Sequence, residues 1–151
     1  MKNLEFQIPK GYIQDMAKST PDKLVYKLAK SDNIMERITC FGDALEELPN
    51  DDKDVIEYHK LINTGIAGNT LNFTKLKIFT KVLNEGWKPN MSNQNEYKYW
   101  NYLYMDKGTF SCNTIFITSF LDVPSALFFK TSELAKHAAK IAFEEYKAYH
   151  I

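Results

Sequence analysis

The chain has 151 residues, 25% of them charged and 44% hydrophobic, and its 19 basic residues balance 19 acidic ones. That length fits one domain burying roughly 68–70% of its unfolded surface, so neither a disulfide framework nor a metal staple is needed to hold it. Balanced charge argues against a non-specific DNA or RNA coat, which carries a basic excess, and no apolar run approaches the roughly 20 residues of a transmembrane helix.

The N-terminus has no apolar core of the kind a signal peptide carries, so none is expected. Cys40 and Cys112 stand far apart, outside any CxxC or metal-ligand spacing, and read as two buried reduced thiols. A soluble protein of a reducing compartment is the expectation.

Residues 4–28 read as a β-hairpin with a long loop. Leu4, Phe6 and Ile8 alternate with polar neighbours, as do Leu24, Tyr26 and Leu28. Pro9 ends the first strand, and Ser19–Asp22 carries a turn signal. Residues 29–37 are polar and read as a connector. Thr39 is placed as the N-cap of a short helix with Phe41, Ala44, Leu45 and Leu48 inward, stopped by Pro49.

The acidic run Asp51–Asp54 suits the positive end of a second helix, with Val55, Tyr58, Leu61 and Ile62 as its apolar stripe. Gly65 and Gly68 interrupt the pattern. A third helix is expected from near Asn72 or Thr74, with Leu76, Phe79, Thr80 and Leu83 inward and Ile78 and Val82 beside them. Gly86 is expected at its C′ position, with Pro89 as the stop and Trp87 just past the cap.

Strands follow. The first is expected over 97–105, the second over 110–121 after a turn at Asp106–Gly108, and a short third over 126–130 after a turn at Asp122–Ser125. Thr131 then caps one long helix to about Tyr149. Segregated helices and strands predict an α+β fold: a small antiparallel sheet packed against a long C-terminal helix and two to three central helices, with an N-terminal β-hairpin, all in one domain.

The corner "NEGWKP" at 84–89, the aromatic run "EYKYWNYLYM", the hairpin after it and "LFFKTSELAKHAAKIAFEEYKAY" together resemble an uncharacterised family from phages and prophage regions of gut bacteria. The upstream "RITCFGDALEEL" and the opening "IPKGY" fit the same pattern. The chain departs from it at "NTGIAGNTLNFTK", where the family pattern implies one continuous helix to Gly86. The resemblance implies phage origin, a place in the cytoplasm of a bacterial host and an α+β fold. It supplies no catalytic residues, because the family carries no assigned activity.

The residues offer little local chemistry. His59, His137 and His150 form no motif with either cysteine, and His137 reads as a helix-surface residue. Asp51, Asp52, Asp54 and Glu57 could attract a hard cation, but acids at a helix start already have a structural reason. "GIAGNT" lacks the lysine of a phosphate-binding loop. No metal or cofactor is expected.

The feature with functional content is the aromatic strand, where both faces carry rings: Tyr97, Tyr99 and Leu103 on one, Trp100, Tyr102 and Tyr104 on the other. Three readings stay open. The chain itself covers both faces. A protein partner, or a second copy, uses the rings with Trp87 as a hot spot. Or single-stranded nucleic acid stacks on them, with Lys98, Lys88 and Lys107 near enough in sequence to meet phosphates.

Overall fold

A computed structural model describes residues 12–20, 23–118 and 124–150. They form two compact units, divided between Asn33 and Ile34, each described by itself.

In the first unit β1 (Tyr12–Gln14) pairs antiparallel with β2 (Tyr26–Leu28). Ser19 joins the two arms. Its hydroxyl donates to the Asp15 carbonyl at 2.7 Å and accepts from the Val25 amide at 3.1 Å. Below it, Thr20 and Lys23 exchange both backbone hydrogen bonds. A hairpin is therefore present, with 12–14 as the partner of 26–28. The expected first strand at residues 4–8 lies outside the described residues.

The second unit is α+β and begins with a short helix α1 (Ile34–Arg37), where a polar connector was expected. Ile34 and Ile38 explain the helix: both enter the core. Next comes α2 (Phe41–Glu47), with Cys40 rather than Thr39 at its N-cap. The Asp43 carboxylate reaches back to accept from the Thr39 amide and hydroxyl and the Cys40 amide, at 2.9, 2.7 and 3.1 Å. Those bonds hold it below its ordinary pKa.

Asp52 caps α3 (Lys53–Asn63) by accepting from the Asp54 amide at 2.9 Å. At the other end Gly65, at φ +68°, closes a Schellman motif. Its amide donates to the Ile62 carbonyl and the Ile66 amide to the Leu61 carbonyl. The chain therefore breaks where its residues indicate and does not continue as one helix to Gly86.

α4 (Asn69–Leu83) starts a few residues earlier than its apolar pattern suggests. It is the central helix of the unit: Thr74, Leu76, Ile78, Phe79, Thr80, Val82 and Leu83 are all buried. At its end Glu85, not Gly86, takes the C′ place, at φ +48°, and its amide donates to the Val82 carbonyl.

β3 (Lys98–Asp106) and β4 (Thr109–Ile117) form an antiparallel hairpin in unbroken register, from Lys98 opposite Ile117 to Asp106 opposite Thr109. Lys107 and Gly108 both have positive φ, the signature of a two-residue type I′ turn whose twist matches the strands. The expected third strand is reduced to one residue. Pro124 leads into a 3-10 turn (Ser125–Leu127), and only Phe129 bridges β3, exchanging both backbone hydrogen bonds with Tyr99.

The expected C-terminal helix is present but broken. Thr131 caps α5 (Ser132–Ile141) through the Leu134 amide, and α6 (Phe143–His150) follows a distortion at Ala142, where φ is −115° and ψ is 25°. Ala135, Ala138, Ala142 and Tyr146 remain on one buried line with the α4 residues, Phe129 and Leu127. The small alanines let the helices approach closely.

A charge cluster joins α3 to α4. Lys81 meets Asp52 at 2.6 Å and Asp54 at 2.8 Å, and Lys77 meets Glu57 at 2.6 Å and Asp54 at 3.1 Å. Three of the four acids that could have suggested a cation site, Asp52, Asp54 and Glu57, thus have lysine partners within the fold. Burial alone would raise Asp52 and Asp54, but the lysine hydrogen bonds and charges outweigh it and hold both below the ordinary carboxylate range. Burial alone would lower Lys77 and Lys81, and their acidic partners outweigh it upward. Depressed carboxylates stabilise the fold above their unfolded pKa and lose that contribution as pH falls through the folded values. Raised lysines contribute below their unfolded pKa and lose it as pH climbs through theirs. The cluster's contribution is therefore expected to be flat from about pH 5 to about pH 10. Lys81→Met is expected to cost about 1–2 kcal/mol at neutral pH. Urea titrations at neutral pH and near pH 3 check this: the difference from wild type should shrink in acid.

Candidate functional site

Side chains alternate along a strand, so the two faces of β3 are set by residue parity. Tyr99, Asn101 and Leu103 face the helices. Asn101, 3% exposed, fixes this side. Its amide nitrogen donates to the Ala135 carbonyl at 2.7 Å and lies 3.2 Å from the Tyr146 hydroxyl, and its oxygen accepts from the Thr114 hydroxyl at 2.6 Å. Tyr99 and Leu103 pack against the core beside it. Burial raises the Tyr146 hydroxyl pKa far above its ordinary value.

The opposite face carries a ladder of three rings. Trp100 and Tyr102 have centroids 5.9 Å apart, and Tyr102 and Tyr104 are 5.8 Å apart, tilted at 45° and 38°. Ile115 stands opposite Trp100 on β4, Asn113 opposite Tyr102 and Ser111 opposite Tyr104. Trp100 and Tyr102 are half-buried, while Tyr104 and Ile115 are exposed. The Trp100 indole nitrogen is buried and has no hydrogen-bond partner among the described residues.

Lys98 belongs to this face by parity but is fully buried. Its ammonium turns into the preceding loop, meeting the Asn93, Glu96 and Thr118 carbonyls at 3.1, 3.0 and 3.4 Å and the Glu96 carboxylate at 3.3 Å. It is a structural cation, not one held out toward a phosphate. Tyr97 is exposed and sits on the helix-side parity, edge-on to Phe116 at 5.1 Å.

The structure does not group Trp87 with the ladder. Trp87 lines two open cavities, of about 610 and about 410 Å³, together with Asn84. No ring of the hairpin lines either one. The second cavity has Lys53 and Lys88 on its lining along with the already paired Lys77 and Lys81.

The groups that chemistry might have used are placed separately. Cys40 is exposed, against the expectation of burial, because it sits at a helix cap rather than on an inward strand face. Cys112 is half-buried beside Leu103's register position, and burial pushes its thiol up to about 11, which keeps it protonated at neutral pH. His137 is not a free surface residue: its Nε2 lies 2.7 Å from the Ile38 carbonyl. Among the described residues no three His, Cys, Asp or Glu side chains are placed to hold a metal ion, and no helix is long and apolar enough to cross a membrane.

Two residues of consequence escape a pattern search. Asn101 occupies a core-facing position inside an aromatic strand, a signal that it must find buried partners. Asn84 is buried and sits between the helix and the Phe128–Lys130 segment. Its amide donates to the Phe128 carbonyl at 2.7 Å and its oxygen accepts from the Lys130 amide at 3.0 Å. The "NEGWKP" corner and the "LFFKT" segment are thus joined through one side chain.

Compared with protein-family models, curated proteins and solved structures, the chain finds no match.

Proposed function

We propose that this chain is a phage-encoded, non-catalytic protein-interaction module whose contact surface is the Trp100–Tyr102–Tyr104 ladder. The observation that carries the reading is the ladder's position: three rings in register on the sheet face turned away from α5 and α6, with Tyr104 41% exposed and Ile115 36% exposed beside it. Tyrosine and tryptophan give large contact area at low entropy cost, and they dominate the centres of protein interfaces. The strands hold the rings rigid before any partner arrives.

Single-stranded nucleic acid is the weaker reading, for an electrostatic reason. Stacking on rings needs cations along the backbone path. The lysine of this face, Lys98, is spent on loop carbonyls, and at the ladder's tip the charge of Lys107 in the turn is balanced by Asp106 beside it.

The test is a double variant, Tyr102→Ala with Tyr104→Ala, compared with wild type for proteins retained from a bacterial host extract. The variant is expected to lose defined bands that wild type retains while keeping a cooperative melt. Identical retention by both proteins would overturn the proposal. So would salt-sensitive quenching of Trp100 fluorescence by single-stranded DNA, which would instead support the nucleic-acid reading.

A further inference from the structure

The open edge of β4 carries an inference separate from the ladder and its partner. Tyr99 exchanges both backbone hydrogen bonds with Phe129, so its amide and carbonyl point away from β4. In an antiparallel pair the residue opposite then points its own groups away from β3. That residue is Phe116, and by alternation Thr114, Cys112 and Phe110 do the same. The Thr114 amide agrees: it donates outward to the Asn113 side-chain oxygen at 2.8 Å. Among the described residues no strand pairs with this edge.

Proteins normally guard such an edge with lysine, proline or a bulge. β4 has none of these. From Thr109 to Thr118 the sequence TFSCNTIFIT contains no charged residue, no proline and no glycine, and its register with β3 is unbroken. About Asn113 the positions that turn their backbone outward match on the two sides, while Ser111 and Thr109 face Ile115 and Ile117 across the same centre. Phenylalanine stands three residues away on each side, and the small pair Cys112 and Thr114 stands one residue away.

We infer that a second copy of this chain pairs with the β4 edge, antiparallel, about a two-fold axis at Asn113. The two hairpins then form one four-stranded sheet. Phe110 lies opposite Phe116 of the partner subunit, Cys112 opposite Thr114 of the partner subunit, and Asn113 opposite its own copy. Phe116, 59% exposed in the single chain, gains an aromatic neighbour across the seam. β4 carries no charge of its own, so two copies meet without like-charge repulsion along the strand, and Lys147, over the Phe110 ring at 5.7 Å, is a cation beside the seam. The two ring ladders fall on the same face, about 14 Å apart at three strand spacings, so the dimer presents the contact surface twice.

The two-fold axis gives a test specific to the register. In Asn113→Lys and in Asn113→Asp, like-charged side chains stand directly opposite each other on Cα atoms about 4.5 Å apart, in a non-hydrogen-bonded pair. Light scattering from about 10 μM to about 1 mM should show wild type moving from monomer to dimer. Each variant alone should weaken association by about tenfold or more. An equimolar mixture of the two should restore it, because lysine then faces aspartate. Tyr104→Ala should leave the dimer intact, which separates this inference from the ladder's partner. A wild type that stays monomeric throughout would overturn it. So would variants that dimerise like wild type, or a mixture that fails to recover.

Discussion

Replacing Asn101 with alanine is expected to destabilise the second unit by about 3 kcal/mol, a fall of about 6–12 °C in melting temperature for a chain of this size. The side chain is 3% exposed and ties three elements together: the Ala135 carbonyl on α5, Tyr146 on α6 and the Thr114 hydroxyl on β4. Alanine removes every one of these bonds and leaves the Tyr146 hydroxyl, 2% exposed as a residue, without its partner. A buried polar group left alone costs more than the bond itself contributed. Asn101→Asp keeps the shape but has no donor for the Ala135 carbonyl, and is expected to be at least as harmful. Tyr146→Phe should cost only about 1 kcal/mol, since one bond goes and no large cavity forms. A double-mutant cycle between Asn101→Ala and Tyr146→Phe, read by urea unfolding, should give a coupling of about 1 kcal/mol. Additive effects would refute the shared network.

Asn84→Ala is expected to cost about 2–4 kcal/mol and to loosen one segment in particular. Phe129 bonds to Tyr99 on one side. On the other side the Phe128 carbonyl and Lys130 amide have the Asn84 side chain in place of a neighbouring strand. An asparagine amide presents the same donor and acceptor as a peptide group, so it can stand in for one. Alanine would leave the buried Phe128 carbonyl unpaired. The informative readout is hydrogen exchange at the Lys130 amide, which should accelerate well beyond the exchange of the α4 amides. Uniform acceleration across the unit would mean that Asn84 acts only through overall stability. Asn84→Asp should behave almost like alanine, because it loses the donor to Phe128.

Local rules carried much of the architecture. The turn at Lys107–Gly108, the cap at Thr131, the break at Gly65 and the inward face of α4 all follow from short-range chemistry: a positive φ, a hydroxyl before a helix, an apolar period. The boundaries that missed have physical reasons too. The cap at α2 moved from Thr39 to Cys40 because Asp43 reaches back to both amides, and a side chain three or four residues on decides which residue ends the turn. Gly86 was displaced from the C′ position by Glu85, because α4 ends one residue earlier than the glycine suggests. The third strand shrank to Phe129 because one bridge to Tyr99 and one asparagine already satisfy that backbone.

The site divides along the same line. Alternation alone assigned Trp100, Tyr102 and Tyr104 to one face and Tyr99 and Leu103 to the other, since strand periodicity is a property of the backbone. It could not say which face the helices take. Asn101 decides that, through partners 34 and 45 residues away. Nor could it show that Lys98 turns inward, that Trp87 lines cavities apart from the hairpin rings, or that among the described residues no strand pairs with the β4 edge. By itself the sequence determined the α+β class, most of the helices and turns, and the two-faced aromatic strand, because each rests on contacts within a few residues. Only the tertiary structure decided which rings stay exposed, because that depends on where distant segments pack and what they cover.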